Sequence, residues 1–192
     1  RSHGSNYAPY REAGREAVRL FQACLNPPAL PGAGLSTRLS DGPLVDWFVA
    51  DLRYDRERRG GRLAPAGTLA AVRSWALGLT RPGVLVLGQP LFLEPGGAFD
   101  ATPANFAADY EALWRALEAA PYEVLVLSGD VHHSRATHLS LPGARRVFGI
   151  VSSPAVHIPT VASTVTGSLS AQDRGAVRAP SGVRYGGASA TL

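Results

Sequence analysis

"EVLVLSGDVHHSRATHL" (residues 123–139) decides how the rest of the chain is read. Its apolar run, Val124 to Leu127, does not alternate with polar residues, so both faces of the strand are expected to be covered, as in a parallel strand. The strand empties into Ser128-Gly129-Asp130, then His132 and His133. In an extended loop, residues two apart face the same way, so Asp130 and His132 are expected to converge while His133 turns aside. A carboxylate and an imidazole together suit a cation of intermediate hardness such as Zn, Mn or Fe. The competing reading has Asp130 capping a turn beside two solvated histidines. Two ligands do not complete a tight site, which takes at least about three protein ligands.

Outward from that stretch, strands and helices alternate. "YREAGREAVRLFQACL" (10–25) repeats apolar residues at spacings of three and four, Ala13, Ala17, Leu20, Phe21 and Cys24, and predicts a helix with Cys24 in the core, ended by "NPP". Residues 29–43 read as loop, and "PLVDWFVADLR" (43–53) as a strand with a polar end. "PAGTLAAVRSWALGL" (65–79) predicts a short helix, and "GVLVLGQPLF" (83–92) an apolar strand broken at Gly88-Gln89-Pro90. "TPANFAADYEALWRALEAA" (102–120) predicts a helix capped by Thr102, with Pro103 in its first turn and Phe106, Tyr110, Leu113 and Leu117 on one face. "RRVFGIVSSP" (145–154) is a further strand, and "GVRYGGASATL" ends the Ser/Gly-rich segment 161–192 with a last one.

This pattern predicts an α/β fold whose sheet carries helices on both faces. Ligands of such sheets collect where strands end. The polar residues fall at those ends: Asp51 and Arg53, Gln89, Asp130 with the two histidines, and Ser152 with Ser153.

Composition narrows the function classes. The 192 residues are 45% apolar and 18% charged, ordinary for a globular domain, and no apolar run approaches the about 20 residues of a membrane span. No signal peptide is visible, and Cys24 is the only cysteine, which excludes an internal disulfide and a cysteine zinc cluster and leans to the cytoplasm. All 19 basic residues are arginine, and there is no methionine. "RSHGS" (1–5) reads as a tag remnant. The net charge of +4 is spread out. The one dense run, "RYDRERRGGR" (53–62), also carries Asp55 and Glu57 and reads as a solvated loop, so specific nucleic-acid binding is not indicated.

"VLVLSGDVHHSR" resembles the closing metal motif of the PhoD-like branch of the calcineurin-like metallophosphoesterases. Other stretches are similar to the family in the same order: "YREAGREAVRLFQ" to the helix before its Asp-x-Arg strand end, "FVADLRYDR" to that strand end, "VLVLGQPLF" to its next core strand, "DYEALWRAL" to the helix before the histidine motif, and "VFGIVSSPAVHIP" to the strand after it. The likeness covers about residues 7–160. It implies an αββα sandwich and a phosphatase or phosphodiesterase that uses metal-activated water at a centre of two or more divalent or ferric ions (Zn, Mn, Fe or Ca). On that likeness Asp130 and His132 are metal ligands, His133 donates a proton to the leaving oxygen or holds a phosphate oxygen, and Arg53 clamps the phosphate of a small phosphoester. Asp51 orients Arg53, and Gln89 stands where many calcineurin-like enzymes carry a metal-binding histidine, a departure that weakens one metal position.

The resemblance also implies that residues 6–160 are the C-terminal part of such a domain. The family's other ligands lie on strands before the helix at residue 10, and "RSHGSNYAP" cannot hold them. The expected partner is therefore the protein's own N-terminal half. The alternative is a non-catalytic remnant of the fold, or a partner-binding module without a complete metal site. A serine hydrolase lacks support, since no Gly-x-Ser-x-Gly elbow surrounds Ser152 or Ser153. At single positions the plainer readings also stand: Arg53 as a surface ion pair, His133 as an exposed neighbour, and His138 and His157 as residues with no role.

Overall fold

A computed structural model of the chain describes residues 8–57, 61–92, 103–130, 135–141 and 145–152, together with the short strand pieces 177–178, 184–185 and 189–191. The fold is α/β. Six strands form the body of one mixed sheet: β1 (Thr37–Asp41), β2 (Val45–Ala50), β3 (Gly83–Leu87), β4 (Val124–Ser128), β5 (Arg135–Ser140) and β6 (Arg146–Val151). Among the described residues the α-helices are α1 (Ala8–Phe21), α2 (Ala66–Leu77) and α3 (Ala107–Ala119). β7 (Val177–Arg178) and β8 (Arg184–Tyr185) pair with each other, and β9 (Ser189–Thr191) pairs with β5, so the sheet order is β1-β2-β3-β4-β6-β5-β9.

β2, β3, β4 and β6 are parallel neighbours. Their carboxyl ends therefore share one edge of the sheet. β1 joins β2 as an antiparallel hairpin through Gly42, at φ +59°, and β5 lies antiparallel on β6. The β1 segment was expected as loop, and the β5 segment around His138 was left open between strand and loop. Both are mostly polar ("TRLSD" has only Leu39 apolar, "RATHLS" only Ala136 and Leu139), and their pairing partners define them more than their own sequence does.

The β2-α2-β3-α3-β4 crossovers step in one direction across the sheet. With the right-handedness of such units, this places α2 and α3 on the same face. They pack there over Phe48, Ala50, Leu85, Leu87, Val124, Val126 and Val147 and form one core with Val72, Trp75, Leu113, Trp114 and Leu117. Two glycines permit that packing. A Cβ on Gly83 would stand 2.8 Å from the Trp75 ring, and one on Gly149 would stand 2.3 Å from the Phe92 ring.

The expectation of helices on both faces is met on this one face. Among the described residues none covers the second face, because β4 connects to β6 through the antiparallel β5 and not through a helix. That face carries two rows in register, Trp47-Val84-Leu125-Phe148 and Val49-Val86-Leu127-Ile150. All but Val84 are half-buried or exposed, and Ile150 is 43% exposed. The strands are apolar on both faces, as their sequences say, yet among the described residues helices seal only one face.

The core position of Cys24 is a second correction: Cys24 is exposed. Leu20, Phe21 and Leu25 beside it are exposed too. α1 meets the body through other residues. Arg15 pairs with Asp55 and lies 4.9 Å over the Tyr54 ring, and Gly14 abuts the Tyr54 hydroxyl. The third helix also starts later than predicted. Pro103–Asn105 form a 3-10 turn, Phe106 takes the cap position, and Thr102 lies outside the described residues.

At the opposite end of β2 a buried polar knot closes the sheet. Arg38 forks onto Asp46 at 3.0 and 2.6 Å, and Trp75 Nε1 donates to Asp46 Oδ1 at 2.9 Å. Arg38 first, and the Trp75 donor with it, hold the Asp46 carboxyl below the usual carboxylate range against the opposing effect of burial.

Candidate functional site

Just past the carboxyl ends of the parallel strands the chain turns polar, at Asp51, Gln89, Asp130 and Ser152. The loop after β2 leads with Asp51. Its amide donates to Ser36 Oγ at 3.0 Å, and its Oδ1 accepts the amides of Arg53 (3.1 Å) and Tyr54 (3.0 Å). That side-chain turn bends the chain off the strand. Asp51 therefore orients Arg53 through the Arg53 backbone, with its Oδ1 committed to two amides.

Arg53 reaches across the sheet edge from there. Its Nη1 donates to Asp130 Oδ2 at 2.7 Å, and Gln89 Nε2 donates to the same oxygen at 3.0 Å. Three strand ends, those of β2, β3 and β4, thus meet on one carboxylate oxygen. Gln89 is only 6% exposed, while the Arg53 side chain is 63% exposed. Because Nε2 must donate to Asp130, Oε1 points the other way, and that buried oxygen has no partner among the described residues.

Asp130 is held in an unusual backbone state. Its φ is +71°, and among the described residues it is the one non-glycine residue in the left-handed region. Asp tolerates that region better than most residues, at a cost on the order of 1 kcal/mol. Gly129 precedes it because a Cβ there would lie 3.2 Å from the Ser152 carbonyl, where the ends of β4 and β6 close on each other. The premise that the loop is extended through Asp130 therefore fails at Asp130 itself. Spacing of two cannot by itself bring His132 to the same point.

Beneath these groups lies a cavity of about 70 Å³, lined by Ala50, Asp51, Leu52, Arg53, Arg56, Gly88, Gln89 and Pro103. Arg56 was not singled out by sequence, because it sits in a dense basic run with a solvated appearance. It is half-buried, its Nε donates to the Leu52 carbonyl at 3.2 Å, and its guanidinium stacks 5.4 Å from the Phe106 ring centroid. The signal that could have found it is its position three residues after Arg53, just past the strand end.

The structure thus brings together Asp51, Arg53, Gln89 and Asp130. His132, His133, Ser153 and His157 lie outside the described residues. Ser152 is exposed, with its amide on the Ser128 carbonyl at 2.9 Å. His138 lies mid-strand on the uncovered face, 6.5 Å from the Phe148 ring and away from the strand ends. Among the described residues, no three of His, Cys, Asp and Glu gather into a group able to hold a metal. No described helix is long and apolar enough to cross a membrane. No family model, curated protein or solved structure matches the chain.

Proposed function

We propose that this chain carries part of the site of a metal-dependent phosphoester hydrolase of the PhoD-like type, built on an αββα sandwich. The observation that carries the reading is the meeting of Arg53, Gln89 and Asp130 on one oxygen at the shared carboxyl edge of three parallel strands. That edge is where open α/β sheets bind ligands. The residue types suit a phosphoryl group: a planar guanidinium fork for two oxygens, an amide, and a carboxylate beside them.

The donor set fits a metal in part. Asp130 Oδ2 accepts both Arg53 and Gln89, which leaves Oδ1 as the oxygen for a cation. Asp130 and His132 would hold the metal, and the remaining ligands would come from another segment, upstream or on a partner chain. A bound metal would supply Lewis acidity at the phosphoryl group. The chain's own residues do the rest. Arg53 turns its fork onto the phosphate, Gln89 keeps Asp130 in place, Asp51 sets the loop, and His133 transfers a proton to the leaving oxygen.

A second reading has one observation in its favour. The apolar rows on the uncovered face of the sheet suit a partner-binding module with no completed metal site. Metal content separates the two. The protein with its remaining ligand segment is analysed for bound Zn, Mn, Fe and Ca and assayed on an aryl phosphate. Stoichiometric metal with metal-dependent turnover supports the hydrolase. A folded, metal-free and inert assembly supports the module.

A further inference from the structure

We propose that the oxygens gathered at Gly34 bind a Ca²⁺ ion, which fastens both ends of the Asp51–Asp55 loop to the start of α2. The inference does not rest on the phosphoester reading, since it uses neither Asp130 nor His132.

Gly34 shows which atoms face the site. It stands before β1 at φ +64°, a conformation that favours glycine, and it carries no side chain. The point where a Cβ would lie is 3.5 Å from Asp51 Oδ2, 3.6 Å from Asp55 Oδ2 and 4.0 Å from Thr68 Oγ1. Three oxygens, from the loop after β2 and from α2, thus turn to one spot that the missing side chain leaves open.

The two carboxylates are engaged through their other oxygens. Asp51 Oδ1 accepts the amides of Arg53 and Tyr54, and Asp55 Oδ1 accepts Arg15. Among the described residues Asp51 has no ion pair, so two carboxylates share the single cation Arg15.

Thr68 is the observation that points to a ligand. It is 0% exposed, and its hydroxyl has no hydrogen-bond partner among the described residues. A threonine inside a helix can bond the carbonyl four residues back. Thr68 is the third residue of α2, and the residue four back, Ala64, precedes the helix. A buried hydroxyl left in this state calls for a partner.

The donor set selects the ion. All three atoms are oxygens and two are anionic, which suits a hard cation better than Zn or Cu. Ca²⁺ tolerates irregular coordination and completes its shell with water, which reaches the site because both aspartates are partly exposed. Mg²⁺ demands near-octahedral geometry and fits less well. The oxygens stand farther from the Gly34 point than a Ca²⁺–oxygen bond of about 2.3–2.6 Å, so the carboxylates close on the ion as it enters. A water would satisfy Thr68 and leave the surplus negative charge, whereas Ca²⁺ answers both. Two carboxylates and much water put the affinity in the weak class, about 10⁻⁴–10⁻³ M.

The test uses the full chain carrying Asp130→Asn and His132→Ala as parent, so that the strand-edge groups contribute no metal binding. The parent is titrated with Ca²⁺ by calorimetry and melted with and without it. Ca²⁺ is expected to bind saturably, one ion per chain, and Mg²⁺ more weakly. Thr68→Val should weaken Ca²⁺ about tenfold, the loss expected for one buried polar contact. Without Ca²⁺ this variant should melt at or above the parent, because it removes an unpaired hydroxyl, and with saturating Ca²⁺ it should melt below it. Asp55→Asn should abolish saturable binding, with the fold followed by circular dichroism. No saturable Ca²⁺ binding by the parent, or parent affinity in both variants, overturns the proposal. A Thr68→Val chain that melts below the parent by the same margin with and without Ca²⁺ assigns the hydroxyl to a bound water and overturns it too. None of these outcomes bears on the hydrolase, whose expected ligands are removed throughout.

Discussion

Arg53 and Asp130, 77 positions apart in the chain, meet with Nη1 and Oδ2 2.7 Å apart at the carboxyl edge of the sheet. The pair is largely solvent-exposed, so as a stabilising contact it contributes only about 0–1 kcal/mol. Its position, with Gln89 on the same oxygen, suits recognition better than stability.

Arg53→Ala should therefore leave the melting temperature nearly unchanged. In the assembled hydrolase it should lower phosphoester turnover by about 10²–10³-fold, the usual loss when a charge-stabilising donor is removed. Bound metal, measured by elemental analysis, should stay constant. Normal kinetics in this variant would return Arg53 to a plain surface ion pair.

His132→Ala should act on the other term. With the remaining ligand segment present, this variant should lose metal and, with it, phosphatase activity. Unchanged metal content and rate would remove His132 from the site.

The Asp46 knot predicts an acid response. The folded-state pKa of Asp46 is lowered, chiefly by the Arg38 hydrogen bond. Its contribution is therefore full above the ordinary value of 3.8 and is lost as pH falls through the lowered folded value. Asp46→Ala strands the Trp75 donor in the core and should cost about 2 kcal/mol at neutral pH. That corresponds to a fall in melting temperature of about 4–8 °C for a chain of this size. The variant's loss relative to wild type should shrink in acid below pH 3.8. A gap that stays constant down to strong acid would argue against the ionised Arg38–Asp46 pair.

The uncovered sheet face predicts how residues 1–192 behave alone. Trp47, Val49, Leu125, Leu127, Phe148 and Ile150 leave an apolar layer half open, a surface that favours association. The isolated chain should show concentration-dependent mass by light scattering and no turnover of an aryl phosphate with added Mn or Zn. Ile150→Lys should reduce the association without unfolding the chain. A wild-type monomer with metal-dependent turnover would mean that other strands carry the site.

The sequence by itself determined the regular elements that are long and locally consistent. β2, β3, β4, β6, α2 and the body of α3 follow from apolar runs, helical spacing and proline or glycine stops. The strand-end residues Asp51, Arg53, Gln89 and Asp130 were legible because an apolar run that turns polar marks where a parallel sheet stops being covered. What only the tertiary structure decided is non-local. β1 and β5 are strands because β2 and β6 pair with them. α1 turns its apolar residues outward because Arg15 and Gly14 are what engage the Tyr54–Asp55 loop. Both covering helices fall on one face because the crossovers never reverse direction. Asp130 leaves the extended conformation at φ +71°, which no spacing rule detects. Arg56 moved from a solvated run to a cavity wall because Phe106, fifty positions away, supplies the ring beneath it. Local periodicity encodes which residues prefer to be buried, whereas which buried surfaces meet depends on contacts between positions far apart in the chain.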